Sequence, residues 1–136
     1  LLICALLGAC EAGPGRGGDR RLDIGGDTIT LAPGTSVHDV AVRVRSGESE
    51  FDPSSTEIRT GDVVRFETED SWTHAFEFQA IPEAARQLFE SKAQLRSPPL
   101  LVEGATWVVS FDGAPAGAYR VVCTTHQTSG TITVRP

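Results

Sequence analysis

The sequence predicts an all-β chain: a Greek-key β-sandwich of seven or eight short strands, interrupted by one inserted helix at about residues 82–95. Three observations carry this. Apolar and polar residues alternate in short runs, as where Val40, Val42 and Val44 interleave with Ala41, Arg43 and Arg45, which is the period of a half-buried strand. Turn signals, among them Pro33-Gly34, Gly61-Asp62 and Pro115 to Gly117, separate these runs at close intervals. One stretch departs from the rhythm and takes up helical spacing. A length of 136 residues at 40% hydrophobic composition suits a single domain with a sizeable core.

At the N-terminus, Leu1 to Cys10 is uncharged and too short to cross a bilayer, so residues 1–9 read as the tail of a secretory signal peptide. Leu7-Gly8-Ala9-Cys10 resembles a bacterial lipobox, which implies cleavage before Cys10, lipidation of Cys10 and loss of Cys4. The competing reading is an ordinary first strand with two buried thiols; small residues before a Cys, followed at once by a polar stretch, speak against it. Residues 10–21, rich in Gly with Pro14 among charges, cannot bury enough apolar area to order themselves and read as a tether from the lipid to a domain at 22–136. The expected location is the bacterial periplasm or cell surface, with the lipid as the sole membrane contact. One thiol, Cys123, then remains in an oxidising compartment, which suggests that something occupies it.

The strands follow in order. Thr28 to Leu31 is a short strand before the Pro33-Gly34 turn, and Val37 to Arg45 is the half-buried run already described. Ser46 to Ser55 is polar and reads as a loop with Phe51 as its anchor. Glu57 to Arg59 and Val63 to Thr68 flank Gly61-Asp62, with Val64 and Phe66 facing inward. His74 opens a strand ending near Ala80, and His74, Phe76 and Phe78 share one face. In the helical stretch, Pro82 suits the first position, Glu83 the positive end of the dipole, and Ala85, Leu88 and Phe89 one buried stripe; Pro98-Pro99 prevents continuation. Thr106 to Asp112 points Trp107, Val109 and Phe111 inward. Tyr119, Val121 and Cys123 share a face of the next strand, and Gly130 begins the last, with Ile132 and Val134 inward.

The formal net charge of -6 argues against nucleic acid as a partner, since phosphate binding needs a concentrated basic surface. The chemistry-bearing residues are few: three His and three Cys in the whole chain. Cys123 closes a strand on its core face, His126 follows across a two-residue turn, and His74 lies on an inward strand face. One thiolate and two imidazoles are the protein set of a trigonal His2Cys copper site. Other readings use the same residues. A lone His or Cys on an apolar face is commonly just a core residue. Zinc needs a fourth donor, for which Asp70 is the candidate. A Cys-His nucleophile needs an orienting third group, and none is indicated. A binuclear copper centre needs two Cys in one loop, where Thr124 and Thr125 stand instead.

Taken together, Phe51-Asp52-Pro53, Ile58 to Phe66, His74, the run Ala116-Gly117-Ala118-Tyr119-Arg120-Val121-Val122-Cys123-Thr124-Thr125-His126 and the closing Gly130 to Val134 resemble the cupredoxins, small blue-copper proteins that include plastocyanin, amicyanin and azurin. The resemblance extends from about Val37 to the end. It implies the sandwich fold, one copper ion cycling between Cu(I) and Cu(II), and ligation by His74, Cys123 and His126, with His126 the more exposed. Tyr119 resembles the family's core tyrosine four residues before the Cys. His38 falls outside the frame and reads as a surface residue; Trp72, beside His74, either packs over the site or anchors its loop, and the anchor is the better reading.

Three departures stand out against that family. The chain has no Met, so the usual weak axial thioether is absent, and Gln127 and Ser129 are the weak axial candidates. Three strong donors without a strong axial bond favour Cu(I) and raise the potential. The stretch before the final strand is short, and Ala75 stands where plastocyanins carry an Asn that braces the Cys loop. The expected function is single-electron transfer between unidentified redox partner proteins by a non-enzymatic, monomeric carrier. The alternative is a metal-free or copper-handling domain of the same fold that transfers no electrons.

Overall fold

A computed structural model of the chain describes residues 20–24 and 27–136. The signal and lipidation readings at residues 1–9 and Cys10 lie outside the described residues, as does most of the tether. Ten strands and one helix follow one another: β1 (Arg20–Ile24), β2 (Asp27–Leu31), β3 (Val37–Arg45), β4 (Glu48–Asp52), β5 (Ser55–Arg59), β6 (Val63–Thr68), β7 (Phe76–Ala80), α1 (Glu83–Ser91), β8 (Thr106–Ser110), β9 (Gly117–Cys123) and β10 (Thr128–Arg135). β1 and β2 pair as an antiparallel hairpin of their own. The other eight make two four-stranded sheets, ordered β4-β3-β6-β8 and β5-β10-β9-β7. Two parallel pairings, β3 with β6 and β10 with β5, sit among antiparallel ones, and these non-sequential neighbours are the crossovers of a Greek-key sandwich.

Alternation decides what lies between the sheets. Val40 and Val42 from β3, Val64 and Phe66 from β6, Trp107 and Val109 from β8 face Phe76, Phe78, Tyr119, Val121, Ile132 and Val134 from the other sheet, all buried. Phe66 stacks on Trp107 with ring centroids 5.5 Å apart, and Phe76 tilts against Phe66 at the same distance. Each fully buried ring of this kind contributes about 1.5–3 kcal/mol. Tyr119 is wholly buried, and its hydroxyl donates to the Pro115 carbonyl at 2.7 Å, which ties the chain bend at Gly117 to the core.

Three stretches differ from expectation, each for a physical reason. Glu48–Asp52 forms β4 where a polar loop was expected: Phe51 is buried as its anchor, and the backbone on either side pairs with Ala41 to Arg45. β1 begins at Arg20, two residues before the expected domain start, because it pairs with β2 through Leu31. The helix is shorter than residues 82–95. Ala93 takes a left-handed φ of 53°, which stops it, and the chain beyond turns to other partners. Gln94 bonds the Ser110 backbone twice, donating to its carbonyl at 3.0 Å and accepting from its N–H at 2.8 Å.

The segment after α1 positions the site. Phe78 N–H donates to the Leu95 carbonyl and Ser97 N–H to that of Phe76, both at 2.9 Å, so residues 95–97 run beside β7. Leu100 and His74 then exchange two backbone hydrogen bonds, at 2.8 and 3.0 Å. His74 thus precedes β7 instead of opening it, yet its backbone is held as firmly as a strand residue. Upstream, Phe89 from α1 lies within 5.2–5.5 Å of the rings of Phe78, Phe111 and Tyr119, which fastens the whole insert to the core.

Candidate metal centre

Cys123 is the last residue of β9 and is fully buried; its strand partners are Phe76 on one side and Thr128 on the other. Because Thr128 re-enters the sheet directly opposite Cys123, the intervening loop is only four residues. Gln127 closes it with a left-handed φ of 58°, its N–H donating to the Cys123 carbonyl at 2.8 Å. That tight turn folds His126 back over the sulfur. His74 reaches the same point from the neighbouring strand position, stacked on Phe76 and wholly buried.

The result is a convergence of donor atoms. Cys123 Sγ lies 3.6 Å from His74 Nδ1 and 3.5 Å from His126 Nδ1, and the ligand atoms of the three residues all fall within 4.8 Å of one another. Among the described residues this is the one group of three or more His, Cys, Asp or Glu side chains close enough to share an ion. A soft sulfur and two imidazole nitrogens suit copper in both oxidation states. Burial is graded across the group: His74 and Cys123 are enclosed, while His126 is partly exposed.

Asp70, the candidate fourth donor for zinc, is placed elsewhere. Its Oδ1 accepts from His74 Nε2 at 2.8 Å, on the side of the ring away from the sulfur. Burial pushes the Asp70 carboxyl up, but hydrogen bonds from His74 and from the Val44 and Trp72 N–H groups outweigh it and hold the carboxyl below the usual range. A similar balance operates at Asp62. Burial pushes it up, and hydrogen bonds from the Arg59 and Ser36 N–H groups and from His38 hold it below normal.

The two axial candidates both sit on exposed positions, Gln127 closing the turn and Ser129 after it. The Gln127 side chain is exposed and donates to the Thr124 carbonyl at 2.9 Å, and Ser129 is exposed in β10 opposite Val122. Sequence reasoning passed over Thr125. Its hydroxyl oxygen lies 3.2 Å from Cys123 Sγ and 3.0 Å from His126 Nδ1, and it donates to the Thr73 carbonyl at 3.0 Å. The available signal was position: Thr125 sits inside the Cys123 to His126 turn, where any side chain must turn toward the sulfur or toward solvent. The bracing role expected of residue 75 is filled from the other partner, since Thr124 donates both its N–H, at 2.8 Å, and its hydroxyl, at 3.2 Å, to the Ala75 carbonyl.

His38 lies at the start of β3 outside the donor group, as expected, but is half-buried and bonded to Asp62 at 2.9 Å. Trp72 does not anchor its loop by burial. It is 60% exposed, with its indole edge-on to His126 at a centroid distance of 6.4 Å. Leu101, next to the His74 partner Leu100, and Val102 are also exposed.

A two-sheet sandwich with a thiol and two imidazoles gathered at one end defines a class of metal-binding β-proteins. Residues 38–135 match the family model of copper binding proteins of the plastocyanin/azurin family, and the chain belongs to that family. Its fold is similar to that of a mutant fern plastocyanin, at 26% identity and a TM-score of 0.58 over 71% of this chain and 99% of that one. It is also similar to a purple cupredoxin from Nitrosopumilus maritimus, at 24% identity and a TM-score of 0.53 over 72% and 99%, and to a reduced amicyanin variant, at 20% and 0.50 over 77% and 86%. No curated protein sequence matches it. The family binds one copper ion and is associated with electron transfer, and the donor set here fits that ion.

Proposed function

We propose that His74 Nδ1, Cys123 Sγ and His126 Nδ1 hold one copper ion as a mononuclear His2Cys site without a Met axial ligand, and that the protein carries single electrons between redox partner proteins. The observation carrying this reading is the convergence of the three donor atoms, with sulfur-to-nitrogen distances of 3.5 and 3.6 Å. Copper supplies a one-electron couple when bound. The chain's own part is to exclude water on the His74 side, to hold three donors in place through β9, the four-residue turn and the Leu100 bridge, and to bring one imidazole to the surface. Because His126 is the partly exposed member and Trp72, beside it, is exposed, a partner protein would meet the site on that face.

Leu7 to Cys10 and the Gly-rich stretch after it support a lipid anchor that holds the domain in the bacterial periplasm or at the cell surface. The test of the copper reading is optical. Cu(II) added to the chain should produce an intense visible absorption from thiolate-to-copper charge transfer. Cys123→Ser should abolish it, and His38→Gln should leave it unchanged. A colourless adduct with ordinary Cu(II) spectra would replace the carrier reading by one of copper handling.

A further inference from the structure

Behind the donor group, on the far side of the His74 ring, stands a carboxylate that is not itself one of the three donors. Asp70 Oδ1 accepts from His74 Nε2 at 2.8 Å and from the Trp72 N–H at 3.0 Å, while its Oδ2 accepts from the Val44 N–H at 2.5 Å. Three donors, two from its own loop and one from β3, fix one small side chain. Only 17% of that side chain is exposed, and the imidazole it meets is not exposed at all. Arg43, one residue before Val44, is paired with Glu69, Glu50 and Asp52.

We infer that Asp70 is a positioning residue that sets the redox balance of the site: it fixes the His74 tautomer and places one negative charge against that imidazole, favouring Cu(II) over Cu(I). This rests on the copper reading above. The first half follows from hydrogen-bond bookkeeping. An ionised carboxylate can only accept, so His74 Nε2 carries the proton and Nδ1 presents its lone pair toward Cys123 Sγ, 3.6 Å away. Enclosure of the ring keeps water from stabilising the other tautomer. The second half is electrostatic. A carboxylate hydrogen-bonded to a metal-ligating imidazole makes it a stronger donor, and a poorly screened negative charge stabilises the more positive ion. It therefore opposes the upward pressure on the potential that comes from having no Met in the chain.

The experiment compares the full chain with Asp70→Asn and Asp70→Glu. Asn keeps an acceptor for His74 but removes the charge; Glu keeps the charge at altered reach. In potentiometric titration of the copper-loaded proteins, Asp70→Asn should shift the Cu(I)/Cu(II) affinity ratio toward Cu(I) about tenfold, a rise of ~59 mV for a one-electron couple. Asp70→Glu should recover part of that shift. Nitrogen-15 NMR of the metal-free wild type should show His74 as the Nε2–H tautomer. A coloured Asp70→Asn adduct with wild-type potential overturns the inference, and so does an Nδ1–H tautomer in the metal-free wild type. Should Asp70→Asn fail to fold, the Glu variant and the tautomer decide it. Failure of the copper reading looks different: the wild type itself would give no charge-transfer band.

Discussion

Two Asp-His pairs stand at opposite ends of this sandwich, and they are near copies. Asp62 meets His38 at 2.9 Å where β5, β6 and the end of β10 come together; Asp70 meets His74 at 2.8 Å where β9 and β10 meet. Both carboxylates also accept two backbone N–H bonds, and both titrate below the ordinary range. What differs is the surroundings of the imidazole. His38 retains access to solvent and belongs to no donor cluster among the described residues, whereas His74 is enclosed and its second nitrogen faces a thiol and a second imidazole. A carboxylate-braced histidine is therefore a structural unit that this chain uses twice. Chemistry enters only where the far side of the ring has company.

Substitutions at the two ends should separate these roles. The largest effect is expected from His74→Ala, which removes a donor outright and should weaken copper binding by more than about 100-fold, judged against the 10–100-fold cost of losing an outer-sphere partner alone; competition with a copper chelator measures it. His38→Ala should leave copper affinity at the wild-type value, and a loss comparable to that of His74→Ala would erase the distinction between the two ends. Next comes Asp62→Ala, which strips the Ser36 and Arg59 N–H groups of their acceptor and should cost about 1–3 kcal/mol of stability in denaturant titration, with the copper spectrum unmoved.

The pH dependence is a smaller and shared signature. Asp62 and Asp70 have folded-state carboxyls held below the ordinary value of about 3.9. Between the folded and unfolded values the unfolded chain binds more protons, so the stability these groups supply is present above the unfolded value and is lost as the pH falls from about 4 through the lower folded values. Thermal melts of the metal-free protein should show this decline as the pH is taken below about 4. Asp62→Asn should shallow the decline without removing it, since Asp70 remains. The smallest effect belongs to His38→Gln, a partly exposed single bond whose loss should change stability by about 1 kcal/mol or less.

Much of this was legible in the residues. Period-two alternation placed β3, β6, β8, β9 and β10, because each turns one continuous apolar face to the core, and the same alternation put Cys123 and His74 inward. β4 was missed because Ser49 and Glu50 dilute its pattern, and its pairing with β3 is a long-range fact that local composition does not carry. The helix was overrun by a few residues at its C-terminal end for a related reason: Gln94 and Leu95 fit a helical stripe, but they gain more from Ser110 and Phe78 than from another turn. At the site the donors came from spacing and a family likeness, while the groups acting on them did not. Asp70 and Thr125 are ordinary residues in a loop and a turn, and their significance lies in where the backbone aims them.

The insert that carries α1 has one more consequence. Through Gln94 it occupies the last residue of β8, and through Leu95, Ser97 and Leu100 it occupies the outward backbone of β7 and of His74, lacing both sheets along a single flank. An open strand margin invites another molecule to add on edge to edge, which is a short route to aggregation. Here the margin nearest the donor cluster is already taken, so self-association through that flank would first require the insert to peel away, disturbing His74 as it left.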